Sequence, residues 1–171
     1  MARVKIYTQA EARIYEEDIP NIDGIVVPFN KTPKGIVCPH FLELRWAIGC
    51  YFDCAYCYLQ GTFRGYKRFK EKFVNRPIDR VLETIEKAFN HEYFKRNPSI
   101  LSSGELSESL AKPHLIRQIS DRFEEQNKHK LLLLTKSGNV KLLVDRPRKQ
   151  TIFSFSLNAH ETWRRLEHKT P

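Results

Sequence analysis

No stretch of this 171-residue chain is apolar for long enough to cross a membrane, and its opening Met-Ala-Arg-Val-Lys-Ile-Tyr-Thr-Gln lacks the apolar core of a secretory signal. Those absences give the expectation of a cytoplasmic protein with no membrane partner. Internal repeats, low-complexity tracts and Gly/Ser-rich linkers are also missing, so the chain reads as one continuous globular body large enough to bury a core. Cysteine is scarce: of four, three fall within eight residues and Cys38 stands apart. Clustering of that kind reads as ligation of a metal or cluster rather than as a disulfide framework. Acid is in short supply as well, with 20 Asp and Glu against 29 Lys and Arg, a formal charge of +9. Such an excess favours a polyanionic partner, nucleic acid above all, although basic proteins without one are common.

What is present begins with an irregular lead-in over residues 1–40, punctuated by Pro20, Gly24, Pro28, Pro33, Gly35 and Pro39. From Phe41 the chain alternates. Residues 41–48 read as a strand, 79–94 as a helix with Asp79 at its N-cap, and 99–103 as a second strand. A helix over 113–126 follows, with Leu115, Ile116, Ile119 and Phe123 on one face. The unbroken run at 130–135 predicts a strand covered on both faces. A short helix over 140–145, a fourth strand over 151–157 and a last helix from Ala159 complete the pattern. Alternation of this kind implies α/β architecture with a parallel sheet and right-handed crossovers.

The unusual residues collect at one kind of place. The loop holding Cys50, Cys54 and Cys57, the pair Gly104-Glu105, the triplet Thr135-Lys136-Ser137 and the triplet Ser156-Leu157-Asn158 all follow the C-terminal ends of predicted strands. That edge carries the active site in α/β barrels and open parallel sheets. The C-x3-C-x2-C spacing gives one loop three thiolates, which suits an iron–sulfur cluster with one iron left open to a small molecule. The alternative is zinc held by the same three cysteines with Cys38 or His40, although structural zinc usually takes paired C-x2-C units and only one pair is present. Farther on, residues 63–73 interleave Arg and Lys with Phe and Tyr, the combination a strand-tracking nucleic-acid groove needs. A solvated loop packed over the site gives the same composition.

The cysteine triplet with its extension Cys54-Ala55-Tyr56-Cys57-Tyr58-Leu59-Gln60 resembles the signature of radical S-adenosylmethionine (SAM) enzymes, in the spore photoproduct lyase-like branch. Supporting matches are residues 103–110, Leu134-Thr135-Lys136-Ser137, Phe155-Ser156-Leu157-Asn158 and Glu167-His168-Lys169-Thr170-Pro171. The resemblance implies parallel strand–helix repeats over residues 41–171, forming part of a (β/α)6 partial TIM-like barrel. It implies a 4Fe-4S cluster on Cys50, Cys54 and Cys57 with SAM on the open iron. One electron, from an external donor of flavodoxin or ferredoxin type, then cleaves SAM to methionine and a 5′-deoxyadenosyl radical. By the same motif match, Gly104 and Glu105 hold the methionine amino group, Lys136 and Ser156 meet its carboxylate, and Tyr56 lies beside the adenine. Tyr56 and Tyr58 fall where the lyase places a radical relay, and DNA or another nucleic acid is the implied substrate.

Two departures stand out. The lyase uses an additional cysteine near the end of its second strand as hydrogen-atom donor. Here that stretch is Ile100-Leu101-Ser102-Ser103-Gly104, without a thiol. The expected reaction is therefore radical SAM chemistry other than photoproduct repair. The family barrel also has about six strands, whereas four strand–helix units are legible, giving the expectation of a truncated or split form. Two rival readings remain beside the enzyme: a zinc-stabilised nucleic-acid-binding protein, and a cluster-binding piece that cannot enclose substrate.

Overall fold

Parallel strands need long connections between them, and the order of elements follows from how this chain supplies those connections. The computed structural model describes residues 19–29, 42–63 and 73–171. Its strands are β1 (Val26–Pro28), β2 (Leu42–Leu44), β3 (Ala47–Gly49), β4 (Asp53–Cys54), β5 (Phe73–Asn75), β6 (Ile100–Ser102), β7 (Lys130–Thr135), β8 (Thr151–Phe155) and β9 (Glu167–His168). Its helices are α1 (Tyr58–Phe63), α2 (Ile78–Asn90), α3 (Glu92–Arg96), α4 (Pro113–Glu124) and α5 (His160–Leu166). The main sheet runs β1-β2-β6-β7-β8, in which β1 is antiparallel to β2 and the remaining pairs are parallel. This is a mixed α/β fold with a mainly parallel sheet and alternating strand–helix units. No helix of the described residues is long and apolar enough to cross a membrane.

Helical periodicity decides what covers the sheet. In α2, Val81, Ile85 and Ala88 are buried, and α4 buries Ile116, Ile119 and Phe123. These side chains join Leu101, Leu131 and Leu133 of the sheet in one core, and Phe89 meets Phe123 edge-on at 5.2 Å. Each large side chain of this set contributes roughly 1.5–3 kcal/mol by leaving water. β7 alternates rather than being covered on both faces: Leu131, Leu133 and Thr135 are buried, while Leu132 and Leu134 are half-buried. Among the described residues, α2 and α4 cover the face that carries Leu131 and Leu133.

Several boundaries differ from the sequence expectation. β1 lies within the span read as an irregular lead-in, and Ile25 and Val26 are wholly buried there. The strand expected over 41–48 breaks at Arg45-Trp46. Fully buried Trp46 turns its indole N–H onto the Ser103 carbonyl at 3.3 Å, and β3 then leaves the main sheet to pair with β5. Pro77, not Asp79, is the N-cap of α2, so Asp79 lies in its first turn. Residues 140–145 form turns instead of a helix. One i→i+4 bond forms, from Val144 N–H to the Val140 carbonyl at 3.2 Å, before Pro147 disfavours helical backbone at Arg146.

The connection from β7 to β8 therefore has no helix, and side chains of α4 hold it instead. The Arg148 guanidinium, nearly fully buried, donates to the Leu143 carbonyl at 2.7 Å, Ser120 Oγ at 2.8 Å and Asp121 Oδ1 at 2.7 Å. The Glu124 carboxylate accepts from the Lys149 and Gln150 amides and from Thr151 Oγ1 at 2.8–3.0 Å. Together they fix where β8 starts, and hence where its far end delivers Ser156 and Asn158.

Candidate functional site

The chain leaves β3 through Gly49, whose φ of 96° lies in the left-handed region that favours glycine. Gly49 N–H donates to the Leu106 carbonyl at 2.7 Å, and its own carbonyl accepts from Glu108 N–H at 3.3 Å. The cysteine loop is thereby fastened to the segment after β6. Farther on, β4 pairs antiparallel with β9, setting Asp53 opposite His168 and Cys54 opposite Glu167. Ala55 N–H donates to the Leu166 carbonyl at 2.7 Å, and Gln60 Nε2 to the Cys54 carbonyl at 2.7 Å. The loop is held from both sides.

Cys50, Cys54 and Cys57 are free thiols, Cys54 buried and the other two half-buried. Burial pushes the Cys50 thiol up to about 11, and the Glu108 carboxylate and the other two sulfurs push in the same direction. Burial also raises Cys54, with Glu167 adding to it. Among the described residues, no three His, Cys, Asp or Glu side chains stand ready in metal-binding geometry. The donor set itself fits a cluster. It offers three thiols in one loop, within electrostatic reach of one another and free of disulfides, whose mutual repulsion on ionising a cationic centre would relieve. Cys38 and His40, the extra ligands of the zinc alternative, lie outside the described residues, as do residues 64–72 of the basic–aromatic stretch.

The other strand ends arrive beside this loop. A Cβ at Gly104 would sit 2.7 Å from Leu134 Cβ and 2.8 Å from the Leu134 carbonyl, so only glycine fits between β6 and β7 there. Glu105 follows, with Ser102 Oγ donating to its Oε1 at 3.2 Å and Tyr58 OH donating to its carbonyl. Burial, then the charge of Glu105, pushes the Tyr58 hydroxyl up to about 12. The two serines in the thiol-free stretch are both engaged, because Ser103 Oγ lies 2.8 Å from Ser109 Oγ.

At the ends of β7 and β8 a second cluster forms. Lys136 Nζ donates to Glu167 Oε1 at 2.7 Å and to the Ser156 carbonyl at 3.1 Å, and it stands 5.8 Å from the Tyr56 ring centroid. Tyr56 OH and Asn158 Nδ2 also donate to Glu167, and Asn158 Nδ2 reaches Tyr56 Oη at 2.8 Å. Burial opposes ionisation of the Glu167 carboxyl, but the donors from Lys136, Tyr56 and Asn158 outweigh it and hold its pKa below the ordinary value. Burial is the largest single influence on the Lys136 ammonium and opposes it, but the hydrogen bonds and charges of Glu167 and Tyr56 together outweigh it and raise Lys136. A cavity of about 280 Å³ opens beside this cluster, lined by Lys136, Ser156, Asn158, His160, Trp163 and Glu167 among others.

The structure therefore brings Tyr56, Lys136, Ser156 and Asn158 together next to the cysteine loop, and sets Tyr58, Gly104 and Glu105 along its other side. Ser156 enters through its carbonyl, and Ala159 is the N-cap of α5. Glu167 was visible only as one letter of a terminal motif. Glu108 carried no signal beyond its place in Ser107-Glu108-Ser109.

This geometry defines a class: an α/β protein whose polar residues gather at the C-terminal edge of a mainly parallel sheet, around a three-cysteine loop. The chain belongs to the spore photoproduct lyase family of radical SAM proteins, whose sequence model matches residues 41–171. A mutant spore photoproduct lyase with bound AdoMet and dinucleoside spore photoproduct is similar in structure, with a TM-score of 0.63 at 23% identity over 77% of this chain and 38% of that one. Spore photoproduct lyase complexed with dinucleoside spore photoproduct gives 0.63 at 26% identity, over 76% of this chain and 38% of that one. The chain thus spans well under half the length of these solved structures. No curated protein matches it by sequence.

Proposed function

We propose that this chain is a radical SAM protein of lyase-like type acting on nucleic acid, with residues 41–171 as its core and the preceding lead-in adding the edge strand β1 to the same sheet. In this reading the four parallel strands are part of a (β/α)6 partial barrel. The observation that carries it is the meeting of the cysteine loop with Lys136, Asn158 and Glu167 at one sheet edge, inside the span the family model matches.

Cys50, Cys54 and Cys57 would hold the 4Fe-4S cluster, which when bound supplies the electron that cleaves SAM reductively to a 5′-deoxyadenosyl radical. The chain's own residues position SAM. Lys136 presents an ammonium to the methionine carboxylate, exchanging its present Glu167 partner for a second carboxylate. Glu105 offers a carboxylate to the methionine ammonium, at the place where Gly104 lets the backbone pass close to β7. The Ser156 carbonyl keeps Lys136 aimed at that edge, and Tyr56, half-exposed, flanks the adenine. Tyr58, anchored on the Glu105 carbonyl, is placed for a relay. The electron comes from a flavodoxin- or ferredoxin-type donor. The basic balance and the dinucleoside spore photoproduct bound by a structural neighbour support this substrate class. Because Ser102 and Ser103 stand where a thiol donor would, the hydrogen returned to product comes from elsewhere than this strand end, and the reaction is not photoproduct repair.

Anaerobic reconstitution of the full chain tests the reading. The expected result is about four irons per chain and reductant-dependent release of 5′-deoxyadenosine from SAM, both lost in Cys54→Ala. One zinc with no iron overturns it in favour of a nucleic-acid-binding protein. Full iron loading without SAM cleavage overturns its enzymatic part.

A further inference from the structure

We infer that Glu108 is a positioning residue that ties the cysteine loop to Lys136 and sets their spacing, without itself touching cofactor or substrate. Its consequence for SAM rests on the radical SAM reading above, whereas its geometry does not. Glu108 is 7% exposed. Its Oε1 accepts from Thr135 Oγ1 and, at 3.0 Å, from Leu110 N–H, while Oε2 accepts from Lys136 N–H at 3.2 Å. The main chain of the same residue donates to the Gly49 carbonyl at 3.3 Å, one position before Cys50. One residue thus joins three strand ends: its carboxylate holds the end of β7, its amide holds the exit from β3, and its own segment follows β6.

The choice of a carboxylate is informative. Among the described residues no Lys, Arg or His forms a salt bridge with Glu108, so its buried carboxyl group is held by two amides and a hydroxyl. Burying a carboxyl group away from any cation is costly, and an apolar side chain would pack the same space more cheaply. What the carboxylate adds is direction. Two oxygens accepting from fixed backbone donors permit only one arrangement of Leu110, Thr135 and Lys136, and charge-assisted bonds are the stiffest of their kind. Lys136 is the ammonium that reaches Glu167 across from Cys54, so an error in its backbone carries directly to that side of the site.

Glu108→Gln tests this, because the amide keeps the shape but must turn an N–H toward one of the donors. In the metal-free chain, hydrogen exchange is followed at the Lys136 amide and across Gly49–Cys57. The expected result is exchange faster by about tenfold or more at both places, with a cooperative melt retained. In the reconstituted protein, iron content stays at the wild-type level while SAM binding weakens by about tenfold, and adding Lys136→Met to Glu108→Gln costs much less than it costs alone. Unchanged exchange and unchanged SAM affinity overturn the inference. So does faster exchange confined to Lys136 with the cysteine loop unmoved. If the wild type takes up no iron or SAM, the radical SAM reading falls, and the exchange measurement still decides whether the two loops are coupled through Glu108. Should Glu108→Gln fail to fold, Thr135→Val removes one donor to the same carboxylate and is read in the same two ways.

Discussion

At the scale of single residues, the tightest requirement at the site edge is for the absence of a side chain. Gly104 passes so close to Leu134 that a methyl group would lie 2.7–2.8 Å from both its Cβ and its carbonyl, with Ser109 Oγ at 3.1 Å. Two of those three atoms cannot rotate away. Gly104→Ala is therefore expected to destabilise the fold by about 1–3 kcal/mol, measured as a lowered urea midpoint at constant slope. Gly61 in α1 is the control: a Cβ there meets nothing within 4 Å, so Gly61→Ala should be neutral or stabilising by up to ~1 kcal/mol. Equal effects at the two positions would show that close approach is not what selects glycine at 104. The places of Gly104, Glu105, Lys136 and Ser156 at the sheet edge were legible because each follows an apolar run that reads as a strand, while only the family resemblance singled them out from other polar loop residues. The acting atom was not legible. Ser156 contributes a carbonyl, and Glu167 meets Tyr56 across 111 residues, a pairing no local pattern encodes.

At the scale of elements, His129 shows how the back of the sheet is locked. It precedes β7, stacks on Phe89 of α2 at 4.9 Å and meets Phe94 of α3 edge-on at 6.1 Å, while its Nδ1 accepts from Ser99 N–H at 3.3 Å. Burial, reinforced by the charge of Lys128, pushes its pKa down to about 4, against 6.5 for a free histidine. The folded protein therefore holds His129 neutral. Between the two values the unfolded chain binds the extra proton, so stability is full above about 6.5 and is lost as pH falls toward 4. The loss at this one residue is expected to reach roughly 2–3 kcal/mol, and His129→Phe should flatten that limb of a stability-against-pH curve while lowering the neutral value by about 1–3 kcal/mol, because the Ser99 N–H loses its acceptor. An identical acid limb in the variant would show that other groups govern it. Element identity was largely legible, since α2, α4 and β7 follow from apolar spacing alone. Element ends were not. The helix read over 79–94 is interrupted at His91, which adopts extended backbone and caps α3 with its own ring nitrogen. The strand read over 41–48 breaks because Trp46 is drawn inward by a carbonyl 57 residues away. Both breaks are set by tertiary partners.

At the scale of the whole molecule, the two edges of the main sheet differ. β1 is three residues long, ends in a proline and runs antiparallel, a short edge that offers little to a second chain. β8 is five residues long, has no proline, and no described strand pairs with its outer side. Apolar side chains stand exposed along it and just beyond, with Ile152 at 39%, Phe155 at 47% and Leu157 at 81%. Unpaired backbone N–H and C=O groups beside exposed apolar side chains make a template for another strand. The net charge of +9 opposes association, but salt screens that repulsion over about 10 Å at 0.1 M ionic strength while leaving apolar burial in place. The 171-residue protein is accordingly expected to associate reversibly as concentration rises, and more strongly at higher salt. Ile152→Lys places a charge in the middle of the edge at a site exposed enough to accept it, and should restore a monomer without lowering the melting temperature. Sedimentation velocity over the accessible concentration range decides the matter. A wild type that stays monomeric at high salt would mean that β8 is protected by residues outside those described, and that the open side of the sheet is closed.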